Sequence, residues 1–197
     1  MAAQNHDQIF NQWVGKQVTI KGVGGTITRI PGEDGDSVRT RRRNVWSDTK
    51  FHTFVIERAP ESQGEGLVAF RAKGTDLYLT ISLYGDKARR GISSTLSRTP
   101  LHPDLVPVVV DFAVGRGDDN FEGKGFSYSP MTVEPGPPSL LQAFRLEQNF
   151  SGSLHRVGIK TRFGTYLRSQ HWNSTVSQSP HLLGDETWYL AETFTQR

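Results

Sequence analysis

The sequence of 197 residues contains no cysteine. This absence excludes disulfides, thiolate metal sites and cysteine nucleophiles, and it fits a reducing compartment. The chain also has no apolar run near the roughly 20 residues that a membrane-spanning helix requires, and its first residues do not form a signal-peptide pattern. We therefore expect a cytoplasmic protein without a membrane span.

The motifs of common catalytic centres are missing as well. There is no Gly-x-Ser-x-Gly elbow, no Walker loop and no His-Glu-x-x-His motif, and the six histidines are scattered. The acidic segment 115–123 does not have the spacing of an EF-hand calcium loop. These observations predict a binding protein rather than an enzyme, with no cofactor and no metal.

The sequence does contain a pattern of strands that occurs three times. Each copy begins with two alternating segments around a glycine-containing turn, which predicts a β-hairpin. A short third strand and a closing strand with aromatic and aliphatic residues follow. The hairpins are 17–30, 67–82 and 156–170, the third strands 37–40, 131–134 and 174–178, and the closing strands 52–58, 142–148 and 187–192. Twelve strands in three four-stranded units predict an all-β fold, the β-trefoil.

We expect one domain over residues 1–197, with units at about 17–58, 67–148 and 156–192. The second unit carries a long insertion, 83–130, where the other two have short turns. Long loops within compact domains often carry function, and the insertion is expected either to have such a role or to pad the outside of the barrel or form a homodimer contact.

Most aromatic residues of the repeats are expected to lie in the core that the units share. These are Phe54, Phe70, Phe144, Tyr166 and Trp188. Residues 1–16 precede the first strand, and they predict a short amphipathic turn that places Ile9, Phe10 and Trp13 on one side, with Trp13 covering the barrel edge.

The third unit, with VGIKTRF, GTYLRSQ and the closing TWYLAE, resembles fascin-type and actin-crosslinking β-trefoils. The LYLTIS segment of the second unit is a looser match, and the resemblance covers most of the chain outside residues 84–130. It implies the β-trefoil fold. Because fascin-like proteins bundle actin, it also implies F-actin as one candidate partner.

One turn of the third unit has the composition of a sugar site. His171, Trp172 and Asn173 follow its second strand, and carbohydrate sites combine an aromatic face with nearby polar side chains. Trp46 and Asp48 form a second cluster of this kind in the first unit. These residues predict a lectin-like protein whose partner is a glycan or glycoprotein.

A cluster of arginines offers an alternative. Arg39, Arg41, Arg42 and Arg43 lie on or after the third strand of the first unit, and Arg39 and Arg41 share the outer face if Thr40 points inward. Such a face would contact an acidic partner, including the surface of F-actin. The net charge of +3 does not predict nucleic acid binding. Protease inhibition through the long insertion is a third alternative, and of the three the sequence favours sugar binding.

Overall fold

The computed structural model describes residues 2–31, 37–41, 49–81, 131–148, 151–162, 164–169, 176–179 and 181–193, with side chains from residue 7 onward. This part of the chain contains one α-helix and twelve strands. The helix, α1, spans Ala2–Trp13. The strands are β1 (Gln17–Gly22), β2 (Gly25–Ile30), β3 (Ser37–Arg41), β4 (Phe54–Arg58), β5 (Val68–Ala72), β6 (Leu77–Thr80), β7 (Thr132–Pro135), β8 (Phe144–Gln148), β9 (Arg156–Thr161), β10 (Tyr166–Ser169), β11 (Val176–Ser179) and β12 (Thr187–Glu192).

Six of these strands close into a barrel. Going round the ring, β1 pairs with β4, β4 with β5, β5 with β8, β8 with β9, β9 with β12, and β12 with β1, all antiparallel. The other six pair two by two, β2 with β3, β6 with β7 and β10 with β11. Closure satisfies the backbone hydrogen bonds of the barrel strands and leaves the barrel without a free edge.

Alternation along the strands places one side chain in two inside the barrel. In β12, for example, Trp188 and Leu190 are buried whereas Tyr189 between them is exposed. Of the five aromatic residues predicted for the core, Phe54, Phe70, Phe144 and Trp188 belong to the core cluster, whereas Tyr166 is buried but lies outside that cluster. The core thus accounts for the repeated apolar residues of the sequence.

The N-terminal segment differs from the predicted short turn, because α1 is a full helix of 12 residues. It contains no glycine or proline, and Ile9, Phe10 and Trp13 are buried in the core cluster. The helix is followed by Gly15, whose φ of +85° is a conformation that glycine adopts without strain. The indole Nε1 of Trp13 donates a hydrogen bond of 2.8 Å to the Leu154 carbonyl, which fixes the helix against the barrel.

The insertion 83–130 lies outside the described residues, but the strands that flank it are paired. Thr80 at the end of β6 lies opposite Thr132 at the start of β7. The proposed unit boundaries and the single domain over 1–197 stay predictions. In the part of the chain described above, no helix is long and apolar enough to cross a bilayer.

Candidate functional site

An open groove of about 690 Å³ lies on the barrel wall. Three separate parts of the chain form it: the end of β1 with the turn that follows, the start of β9 with the preceding loop, and β12 with the loop before it. Its lining residues are Lys21, Gly22, Val23, Ser151, Arg156, Leu183, Gly184, Thr187 and Tyr189. Barrel closure brings these segments together, because β12 pairs with both β1 and β9.

The groove gathers the exposed large apolar side chains of the described residues. Three such side chains have more than a third of their surface accessible, namely Val23 (37%), Tyr189 (45%) and Leu183 (60%), and all three line it. Single exposed apolar residues are common on protein surfaces, whereas a cluster in one concave region is typical of a binding site.

Two cations flank the aromatic ring at the centre of this cluster. Across the three neighbouring strands, Lys21 of β1 lies opposite Tyr189 of β12, and Tyr189 lies opposite Arg156 of β9. Directly opposite residues in antiparallel strands have side chains within reach of one another on the same face. The groove therefore presents a phenol ring between an ammonium and a guanidinium group.

The Tyr189 ring rests on a support of other rings. It stacks on the His155 imidazole with a centroid distance of 5.9 Å and an interplanar angle of 29°, and His155 in turn packs against Trp13 at 5.3 Å. The Leu190 amide donates to the His155 carbonyl at 2.8 Å, which fixes the backbone beneath the stack. A ring held in this way loses little conformational freedom when a ligand binds.

Buried contacts also hold the two turns at the rim. A Cβ atom on Gly22 would lie 2.5 Å from the Ser169 Cβ and 2.9 Å from the Trp188 Cζ3, so this position has room only for glycine. The Gly24 amide donates to the Ser169 hydroxyl at 2.8 Å. On the opposite rim, the buried Glu186 carboxylate accepts a hydrogen bond of 2.9 Å from the Leu183 amide.

Two carboxylates elsewhere on the barrel, Glu57 and Glu147, each pair with a cation and a tyrosine of the neighbouring strands. Glu57 accepts from Arg71 Nε at 2.7 Å and from the Tyr78 hydroxyl at 2.9 Å. Glu147 of the next closing strand makes the same pair of contacts, with Lys160 Nζ at 3.1 Å and the Tyr166 hydroxyl at 2.6 Å. Each network thus joins a cation, a carboxylate and a phenol.

These networks change the ionisation of their members. Burial raises the pKa of the Tyr78 and Tyr166 phenols above the ordinary 10.0, and the hydrogen bonds to Glu57 and Glu147 raise it further because an adjacent carboxylate disfavours a phenolate. For Lys160, burial lowers the pKa, but hydrogen bonds to Tyr166 and Glu147 outweigh this effect and the net direction is upward.

The tyrosine networks predict a loss of stability in alkali. A group with a higher pKa in the folded than in the unfolded chain stabilises the fold below its unfolded pKa, about 10 for tyrosine, and this contribution disappears as the pH rises through the folded pKa. We expect the free energy of unfolding to fall above about pH 10. Denaturant titrations at several pH values measure this, and a Tyr78→Phe, Tyr166→Phe double variant should show a shallower decline. An equal slope in the variant and the parent would contradict the assignment.

Most residues that the sequence singled out lie outside the described residues. These are Trp46, Asp48, His171, Trp172 and Asn173 of the sugar clusters, and Arg42 and Arg43 of the arginine cluster. Arg39 is exposed and Arg41 half-buried on β3, with Thr40 buried between them. Arg39 and Arg41 thus point outward, as expected. Their contact with an acidic partner stays a prediction.

Sequence reasoning did not identify Lys21, Arg156, Leu183 and Tyr189. The TWYLAE segment was interpreted only as a closing strand with Trp188 in the core, although its alternation places Tyr189 on the face opposite to Trp188 and Leu190. That alternation was the available signal for an outward-facing aromatic. The two cations beside it depend on strand register, which the sequence pattern did not supply.

No protein-family model matches the sequence, and no curated protein matches it. Solved structures are similar in fold. A structure named "BEL beta-trefoil" aligns with 91% of this chain and 94% of its own length, with a TM-score of 0.53 and 11% identity. The fold is a β-trefoil.

Two longer proteins align with this chain in part of their length. A Polyporus squamosus lectin, solved with the epitope Neu5Aca2-6Galb1-4GlcNAc, has a TM-score of 0.54 and 10% identity over 91% of this chain. A mosquitocidal holotoxin has a TM-score of 0.56 and 12% identity over 92% of the chain. This chain spans 49% of that lectin and 18% of the holotoxin. Structural neighbours of the trefoil thus include carbohydrate-binding lectins, and the likeness at these identities concerns the fold. Fascin-like specificity is not confirmed.

Proposed function

We propose that this protein is a lectin-like carbohydrate-binding protein without catalytic activity, and that the groove around Tyr189 is its binding site. The observation that carries the proposal is the exposed Tyr189 ring at the centre of a groove that also offers hydrogen-bond donors from Lys21 and Arg156. A sugar ring has an apolar face that packs on an aromatic side chain and hydroxyls that hydrogen-bond to adjacent polar groups.

The supporting contacts favour a preformed site. Tyr189 is backed by His155, and the rim glycine Gly22 is packed against Ser169 and Trp188. Small-molecule sites are concave and largely formed before the ligand binds. The proposed contact residues are Tyr189, Lys21 and Arg156, in place of the clusters around Trp172 and Trp46 that the sequence suggested.

A glycan array tests this proposal with the full chain and a Tyr189→Ala variant. We expect the parent protein to bind a subset of glycans and the variant to bind the same glycans at least about tenfold more weakly. Truncating a central aromatic anchor removes more than about 1.4 kcal/mol of binding free energy. Tyr189→Phe retains the ring and should retain most of the binding.

Arg145→Ala is the matched control. Arg145 is exposed on β8 and lies opposite Lys160, just as Tyr189 on β12 lies opposite Lys21. Replacing Arg145 therefore changes the equivalent barrel position outside the groove. Binding should survive this change. Absence of any reproducible glycan signal would refute the proposed function. Binding that survives Tyr189→Ala but is lost in Trp172→Ala would move the site to the turn at 171–173.

F-actin binding remains a second proposal, supported by the outward-facing Arg39 and Arg41 on β3. Protease inhibition and a homodimer contact through 83–130 are likewise proposals, as is a cytoplasmic location.

A further inference from the structure

We propose that the Tyr189 groove selects acidic saccharides, those that carry a carboxylate or sulfate group, over their neutral counterparts. This inference rests on the proposed carbohydrate-binding function and adds the chemical class of its ligand. The observation that supports it is a network of a cation, a carboxylate and a phenol. This network forms around Arg71 and around Lys160, but at the equivalent residue Lys21 it has no carboxylate among the described residues.

Strand register places three cations at equivalent positions. Arg71 of β5 lies opposite Tyr78 of the following strand, and Lys160 of β9 lies opposite Tyr166. Lys21 of β1 occupies this place in the first hairpin, where the residue opposite is a threonine, Thr26. The following strand, which supplies the phenol of the other two networks, therefore offers only a threonine side chain to Lys21.

The carboxylate position beside Lys21 differs as well. On the closing strands paired with β5 and β9, the glutamates Glu57 and Glu147 stand two residues beyond the partner of the cation. On β12, which pairs with β1, Tyr189 is the partner of Lys21 and the residue two positions further is Ala191. Two of the three cations, Arg71 and Lys160, are thus neutralised by glutamates of the chain. At the third position the methyl group of Ala191 stands in place of a carboxylate.

The second groove cation has no internal counter-charge either. Among the described residues, neither Lys21 nor Arg156 forms an ion pair, and the lining of the groove includes no aspartate or glutamate. The acidic side chains of the adjacent loop, Asp185 and Glu186, both pair with Arg168 at 3.4 Å.

A concave site with two uncompensated cations favours an anionic ligand, because the charge attracts it and a bidentate guanidinium matches a carboxylate or sulfate oxygen pair. The central Tyr189 ring provides the face on which the sugar ring packs. The anionic group of the ligand then supplies to Lys21 and Arg156 the negative charge that Glu57 and Glu147 supply to Arg71 and Lys160.

The test uses an array on which neutral, sialylated and sulfated glycans share the same cores. We expect signal on acidic glycans, at least about tenfold weaker binding of the matched neutral cores, and a fall in binding as ionic strength rises. The sialylated and sulfated arms show which anion the groove prefers. Lys21→Gln and Arg156→Gln should each weaken binding about tenfold, whereas Lys21→Arg should retain it.

Arg145→Gln is the matched control, since it removes the same charge from an exposed strand position outside the groove. It should leave binding unchanged. Equal binding of acidic and neutral glycans on the same core, with sensitivity to Tyr189→Ala, would overturn the charge selectivity and leave the proposed function standing. Binding of no glycan at all would overturn both. Sedimentation that reveals a dimer dissociated by Tyr189→Ala would also overturn the inference, because a second copy would then occupy the groove.

Discussion

Replacing Trp188 with alanine is expected to lower the free energy of unfolding by about 3–5 kcal/mol. Trp188 on β12 is completely buried, and its indole Nε1 donates a buried hydrogen bond of 2.8 Å to the Leu167 carbonyl. Truncation therefore leaves a large cavity and an unpaired carbonyl. Because the ring also packs beneath Gly22, the same variant should loosen the rim of the groove.

The neighbouring residue provides the control for this prediction. Tyr189→Ala changes a similar aromatic side chain on the same strand, but its ring is 45% exposed and only stacks on His155, so the expected loss is about 1 kcal/mol. Denaturant unfolding followed by far-ultraviolet circular dichroism compares the two variants. Equal losses for Trp188→Ala and Tyr189→Ala would contradict the assignment of one to the core and the other to the groove.

Gln142→Ala is expected to have the second-largest effect, a loss of about 2–4 kcal/mol, since several buried hydrogen bonds disappear together. The Gln142 side chain accepts from the Ser139 amide at 2.9 Å and donates to Thr80 Oγ1 at 3.1 Å and the Glu134 carbonyl at 3.2 Å. It thereby joins the ends of β6 and β7, the strands on either side of residues 82–130. The change leaves the Ser139 amide without its partner.

Gln148→Ala is the matched glutamine control, because Gln148 is only half-buried on β8 and its side chain bonds to the exposed Gly152 carbonyl. Its replacement should cost less than about 1 kcal/mol. The same denaturant titrations measure both variants. If Gln142→Ala were no more destabilising than Gln148→Ala, Gln142 would not hold these strand ends together.

The sequence was sufficient to predict the fold class because each strand pattern is local. Period-2 alternation and glycine turns are visible within about a dozen residues, and the repeated closing strands show which aromatic positions, such as Phe54 and Phe144, share the core. The N-terminal helix was underestimated for the same reason. Its three core residues predicted one buried face, but its full length follows from packing against the barrel, which local propensity does not reveal.

The groove could not be predicted in the same way, because its parts are remote in sequence and meet only on closure of the barrel. Lys21 and Tyr189 become neighbours through the pairing of the first and last strands. The unfilled network at Lys21 likewise becomes visible only when strand register is compared with that of Arg71 and Lys160. A search for compact motifs instead favoured the turn at 171–173, where aromatic and polar residues are adjacent in the chain.

The most direct test of the central claim is an NMR titration of the isotopically labelled full chain with the acidic glycan that gives the strongest array signal. We predict that amide resonances shift in three segments, 21–23, 155–156 and 183–189, and that Tyr189→Ala abolishes these shifts at the same glycan concentration. Shifts confined to residues 171–173 or 44–48, with the three groove segments unchanged, would contradict the claim that Tyr189 and its flanking cations form the binding site.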